Sequence, residues 1–107
     1  HFGLDNLVII VDRNTLQLAD RTETIMALEP LEEKWKAFGC EIFHADGNDP
    51  ASLLSVFTSL DHTNGKPKVI LAKTIKGKGI SFIEDQAAWH HKIPAGDEVA
   101  AAIKELE

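Results

Sequence analysis

Apolar and polar positions along the chain alternate between two kinds of segment. Short continuous apolar runs are separated by stretches in which apolar residues recur at helical spacing. The first run, Leu7 to Val11 within Asn6–Asn14, is rich in β-branched residues and reads as a strand buried on both faces. Two further runs follow, Cys40–Ala45 centred on Ile42 and Phe43, and Val69–Ala72. Strands are therefore expected near residues 7–12, 40–45 and 68–73. Between them, Pro30 suits a first helical turn, with Leu31, Trp35 and Phe38 on one face and Gly39 as a stop. Asp49–Pro50 reads as a cap followed by a helical proline, leading to a stripe of Leu53, Leu54, Phe57 and Leu60. Near the C-terminus Asp97 is the expected cap for a helix with Val99, Ala100, Ile103 and Leu106 on one face. Thr15–Thr24 is a polar loop, long for a simple strand-to-helix connection, and His62–Pro67 is turn chemistry.

Strands alternating with helices predict an α/β fold, a parallel sheet with flanking helices and right-handed crossovers. So thin a sheet leaves an exposed edge. It looks like a slice of a larger doubly wound domain. The first strand begins almost at once after His1, Phe2 and Leu4, which suggests a missing element upstream. At 107 residues the chain can bury one modest core.

Charge and cysteine content narrow the partners. Seventeen acidic against eleven basic residues leave a net charge of −6, which argues against a nucleic-acid footprint. The single cysteine, Cys40, excludes an intramolecular disulfide and a cysteine-based zinc cluster, and reads as a small buried hydrophobe. No apolar run is long enough to span a bilayer and no signal-peptide pattern opens the chain, so a soluble, cytoplasmic setting is expected.

Three segments that follow strands carry candidate chemistry. Asp12 and Asn14 place two oxygen-bearing side chains where open α/β sheets bind ligands, and such oxygens suit Mg²⁺; both residues also favour plain turns. Asp46–Gly47–Asn48–Asp49 is better explained as a turn into a helix. Lys73–Thr74–Ile75–Lys76–Gly77–Lys78–Gly79 combines free backbone with positive charge, favouring a phosphate-bearing ligand, though it lacks the Walker spacing and equally describes a solvated turn. Beyond it comes Trp89–His90–His91–Lys92. Adjacent histidines point apart in an extended chain, so a shared metal is not expected. Either imidazole could act as general acid or base, or be an ordinary loop residue. His1 and His44 have no partner evident from sequence.

The order of these segments is recognisable. Leu4–Leu7, Val11–Asn14, Leu28–Leu31, Lys34–Gly39, Asp46–Gly47, Ala72–Gly79 and Trp89–His90 together resemble the thiamine-diphosphate-binding domain of transketolase. The version with Leu-Glu-Pro-Leu and Trp-Lys-Ala-Phe-Gly is most similar to the N-terminal subunit of split bacterial transketolases. The resemblance covers nearly all of residues 1–107 and corresponds to the C-terminal part of that domain.

It implies a transferase moving a two-carbon ketol unit between sugar phosphates with thiamine diphosphate and Mg²⁺. The chain would act beside a C-terminal subunit or pyrimidine-binding domain, in a dimeric or heterotetrameric assembly. By the same resemblance Asn14 and the carbonyl of Leu16 are metal ligands, Lys76 lies near the cofactor, and His90 near cofactor and sugar, where it could assist proton transfer. Asp12 shapes the loop. The Gly-Asp-Gly motif that brings a carboxylate to the metal is absent here, and His91 stands where the familiar pattern has Gly. The activating glutamate belongs to another domain, so the isolated chain is expected to be inactive. Two alternatives stay open: another thiamine-diphosphate enzyme, such as a deoxyxylulose-phosphate synthase, and a non-catalytic, flavodoxin-like interaction module.

Overall fold

The structure is a computed structural model that describes all of residues 1–107. The chain divides into two compact units, residues 1–13 with 28–74 and residues 14–27 with 75–107.

The first unit is built on a three-stranded parallel sheet of β1 (Val8–Arg13), β4 (Glu41–Asp46) and β5 (Lys68–Lys73), in the order β1-β5-β4. Parallel pairing and all three locations are as the apolar runs predict, with β1 and β4 each starting one residue later. The register sets Ile10 and Phe43 on either side of Ile70, and Asp12 and Ala45 on either side of Ala72. Only β5, the central strand, is buried on both faces; Val69 and Ile70 are fully inaccessible. The expectation that β1 is buried on both faces is corrected. Within residues 1–107 it has a strand neighbour on one side only, both helices of the unit pack chiefly over β4 and β5, and Ile10 is 54% exposed.

The two helices are α2 (Leu31–Ala37) and α3 (Pro50–Ser59). Pro30 precedes α2 at its N-cap and does not occupy the first turn. Gly39 supplies the stop at φ +84°, a backbone conformation that disfavours any Cβ. Phe38 closes the helix instead of extending its apolar face, and its ring is exposed. In α3 the Asp49 carboxylate accepts the Ala51 N–H at 2.9 Å, and Pro50 opens the helix as predicted. The inward seam of α3 is Leu53 and Val56, which pack on Ala45, Ile70 and Ala72, while Leu54 and Phe57 are rotated outward. Asp46–Asp49 is the expected turn: Asp46 Oδ1 accepts the Asn48 N–H at 2.9 Å. The N–H of Gly47 donates to the Lys73 carbonyl at 2.7 Å, and this close approach favours glycine because a Cβ would lie 2.5 Å from Thr74 Cγ2.

Cys40 is half-buried. Lys68, which the sequence does not single out, is fully buried; its amine donates to the Lys66 carbonyl, Asn64 Oδ1 and the Asp5 carbonyl at 2.7, 2.8 and 3.1 Å. Those three acceptors make burial of the ammonium tolerable.

In the second unit, the stretch expected as a polar loop contains a small antiparallel hairpin of β2 (Leu16–Gln17) and β3 (Asp20–Arg21), then a single helical turn, α1 (Thr22–Ile25). The lysine–glycine loop leads to a 3₁₀ turn at Ala87–His90 and to α4 (Asp97–Leu106). Two expectations for α4 are corrected. Gly96, at φ +57°, holds the N-cap position and Asp97 is the first helical residue. The face that attaches the helix runs through Glu98, Ala102 and Glu105; Val99 and Ile103 are exposed, and Leu106, itself largely exposed, only brushes Gly79 with its tip. Glu98 pairs with Lys92 at 2.6 Å and accepts the Ala95 N–H at 3.1 Å, and Glu105 accepts from Ser81 Oγ at 2.9 Å. Polar anchors along one helical face hold α4 where an apolar stripe was expected. No helix of the chain is long and apolar enough to cross a membrane.

Candidate functional site

The second unit contains a cleft of about 270 Å³ lined by Asn14, Leu16, Gln17, Leu18, Lys76 and His90. All four sequence-derived site residues, Asn14, Leu16, Lys76 and His90, border this one space. Asn14 Oδ1 accepts the Leu16 N–H at 2.9 Å, an Asx turn that fixes the amide side chain. The turn continues through Thr15 and Leu18, both at positive φ (+66° and +52°), conformations costly for residues with a Cβ and concentrated at functional sites. Thr22 is buried beneath it, and its N–H donates to the Thr15 carbonyl at 2.9 Å.

The opposite wall comes from the lysine–glycine loop and the 3₁₀ turn. Gly77 adopts φ +73°, and a Cβ there would fall 2.4 Å from Ile83 Cγ2. Glu84 accepts the Gly79 N–H at 3.0 Å and lies 3.5 Å from the Lys78 amine. The Gly79 amide, and then Lys78, hold its carboxyl below the usual range. Lys78 is thus paired within the loop, whereas Lys76 enters no ion pair and lines the cleft.

Trp89 packs on Phe82 at 5.6 Å between ring centroids, and the Lys92 ammonium sits 4.0 Å from the Trp89 ring centre. These contacts anchor the turn that carries His90. The expectation that His90 and His91 point apart is corrected. The 3₁₀ turn brings their rings edge to face, with centroids 4.5 Å apart. His90 and Leu18 also border a second depression of about 350 Å³, with Ala19, Ala87, Ala88 and His91.

Two residues that sequence reasoning missed organise this region. Arg21 grips Asp85 through its two terminal guanidinium nitrogens, at 2.6 and 2.5 Å, and also donates to Thr15 Oγ1 at 3.0 Å. The hydrogen bond from Arg21 holds the Asp85 carboxyl below its usual range. No local signal links residues 64 positions apart.

In the first unit Asp12 accepts a hydrogen bond from the Thr74 hydroxyl, which joins the ends of β1 and β5. His44, without an evident partner in the sequence, meets Glu32 at 3.0 Å. It lines a charged groove with Arg13, Glu29, Leu31 and Lys73, in which Arg13 and Glu29 form an ion pair at 2.8 Å.

The polar side chains that line the cleft are the amides of Asn14 and Gln17, the Lys76 amine and the His90 imidazole, with the backbone of Leu16 beside them. Hard oxygen donors suit Mg²⁺ and a free ammonium suits a diphosphate, so they fit part of a metal–diphosphate site. The structure holds no cluster of three or more His, Cys, Asp or Glu able to bind a metal by themselves.

A sequence model of the transketolase thiamine diphosphate binding domain matches residues 1–106. Over 106 residues the chain is 51% identical to a subunit of the apulose-4-phosphate transketolase of Actinobacillus succinogenes, covering 99% of this chain and 38% of that protein. It is 40% identical over 104 residues to 6-deoxy-6-sulfo-D-fructose transketolase subunit SqwG of a Clostridium species, covering 97% and 38%. The chain thus spans less than two-fifths of the length of these relatives. The crystal structure of Campylobacter jejuni transketolase superposes with a TM-score of 0.85 at 22% identity, over 97% of this chain and 16% of that one, which establishes the shared fold. A match along almost the whole chain, in sequence and in fold, places it in the transketolase family, within the thiamine diphosphate binding domain.

Proposed function

We propose that this chain forms the part of a transketolase-type transferase that faces the diphosphate and metal of thiamine diphosphate, and that the whole assembly moves a two-carbon ketol unit between sugar phosphates. The observation that carries the reading is the convergence of Asn14, Leu16, Lys76 and His90 on one cleft. The bound cofactor would supply the carbanion chemistry of ketol transfer.

The chain's own residues bind and orient. Asn14 Oδ1 has a lone pair left after accepting the Leu16 amide, and with the Leu16 carbonyl it would give Mg²⁺ two oxygen ligands. Lys76 would neutralise diphosphate charge. His90 would hold or pass a proton at a substrate oxygen, since one ring nitrogen of an imidazole can donate while the other accepts. The carboxylate ligand and the activating glutamate would come from outside residues 1–107. The relatives' description as subunits supports a partner chain, and we assign that role to a C-terminal, pyrimidine-binding subunit in a dimeric or heterotetrameric assembly. Calorimetric titration of the complete assembly with thiamine diphosphate, with and without Mg²⁺, tests the reading. Metal-dependent binding is expected, and binding indifferent to Mg²⁺ would reject the metal-ligand role of Asn14 and Leu16.

A further inference from the structure

We infer that Arg21 and Asp85 are positioning residues for this cleft: their two-point contact fixes the Asn14–Leu18 loop against the segment that carries Lys76 and His90. The inference rests on the proposed function for its meaning and on separate geometry for its existence.

Each half of the cleft is tied to the clamp by a second bond. On one side Arg21 donates to Thr15 Oγ1 at 3.0 Å, inside the Asx turn that fixes Asn14. On the other, the Asp85 N–H donates to the Lys76 carbonyl at 2.9 Å. One residue thus supplies both the carboxylate that Arg21 grips and the amide that holds Lys76. Asp85 adopts φ +57°, and with Thr15 and Leu18 it completes a set of three non-glycine residues in the left-handed region, all bordering or bracing the cleft. Aspartate tolerates that conformation better than most residues, because its short polar side chain bonds locally. A paired, planar guanidinium–carboxylate contact fixes direction as well as distance, which a lysine could not do.

The side chains of Arg21 and Asp85 are each 46% exposed. At that exposure an ion pair adds little to global stability. Its work is local geometry, so cleft order and melting temperature should separate on mutation.

The test is a double-mutant cycle in the complete assembly, using Arg21→Gln, Asp85→Asn and the pair together; asparagine keeps the left-handed preference while losing the charge. Two readouts are taken: thiamine diphosphate affinity by calorimetry at fixed Mg²⁺, and hydrogen exchange at the Leu16 and Thr22 amides without cofactor. Each single variant should weaken cofactor binding about fivefold or more and speed exchange at both amides. The double variant should lose no more than either single one, as coupling through one contact requires. Melting temperatures should stay within about 2 °C. Additive losses, or unchanged affinity and exchange, would overturn the inference. An assembly that binds no thiamine diphosphate while Asp85→Asn still speeds exchange would sink the proposed function and leave the clamp standing.

Discussion

The side-chain oxygen of Asn14 accepts the backbone N–H of Leu16 at 2.9 Å, so the two residues proposed to hold Mg²⁺ are locked to each other in advance. An amide oxygen already turned toward its co-ligand loses little rotamer freedom on binding a metal. This pre-organisation makes Asn14 a residue whose loss should be felt in affinity first.

In the complete assembly Asn14→Ala is expected to weaken cofactor binding, with partial recovery at high Mg²⁺, because a ligand and the turn that orients the other disappear together. Cofactor titrations across a Mg²⁺ series decide this. Affinity unchanged at limiting metal would remove Asn14 from the proposed ligand set.

His90→Ala should act on turnover instead. Loss of one general acid–base group costs on the order of a hundredfold in rate. Cofactor affinity should change little and excess Mg²⁺ should not rescue the rate. Steady-state kinetics with several sugar phosphate donors would test it, and full turnover with each of them would return His90 to the status of a loop residue.

The isolated chain of residues 1–107 should bind thiamine diphosphate and Mg²⁺ very weakly and carry out no ketol transfer. Its cleft is lined by Asn14, Leu16, Gln17, Leu18, Lys76 and His90, none of which brings a carboxylate. Micromolar affinity for this chain alone, measured by calorimetry, would refute the expectation.

Two glycines in similar backbone conformations should respond differently to alanine. Gly39 at φ +84° has nothing within 4 Å of a new Cβ, so only the backbone preference is lost, about 1 kcal/mol. Gly77 at φ +73° adds a contact of 2.4 Å with Ile83 Cγ2, and overpacking of that kind costs roughly a further 1–3 kcal/mol. Chemical denaturation of both variants should rank Gly77→Ala as clearly the more damaging.

Glu29 gives a pH prediction whose sign is fixed. The Leu31 amide, at 2.8 Å, and then Arg13 hold its carboxyl below the ordinary glutamate value of 4.5. A carboxylate with a depressed folded pKa contributes stability that is present above the unfolded value and is lost as pH falls through the folded one. Docking of Glu29 at the start of α2 should therefore persist from neutral pH to below 4.5. The Leu31 amide chemical shift followed through an acid titration should inflect below that value. An inflection at or above it would contradict the assignment.

Elements whose cause is local can be read from the residues alone. Apolar runs placed the three parallel strands within a residue of their observed starts, Asp49–Pro50 capped α3, and Gly39 ended α2, because each depends on a few neighbouring residues. The segments that carry Asn14, Leu16, Lys76 and His90 were legible as well, since their order along the chain is distinctive. Relations between distant positions depend on the folded path of the chain. The apolar run of β1 resembles that of β5, yet only β5 has neighbours on both sides, so Ile70 is inaccessible while Ile10 remains half open. Burial of Lys68 depends on acceptors from Asp5 and Asn64, which gather only once the loops are folded. The Arg21–Asp85 contact and the ring-to-ring packing of His90 and His91 likewise follow from the path of the backbone. Hydrophobic period and capping chemistry act over a few residues, and neither specifies which charged side chains meet across 64 positions of folded chain.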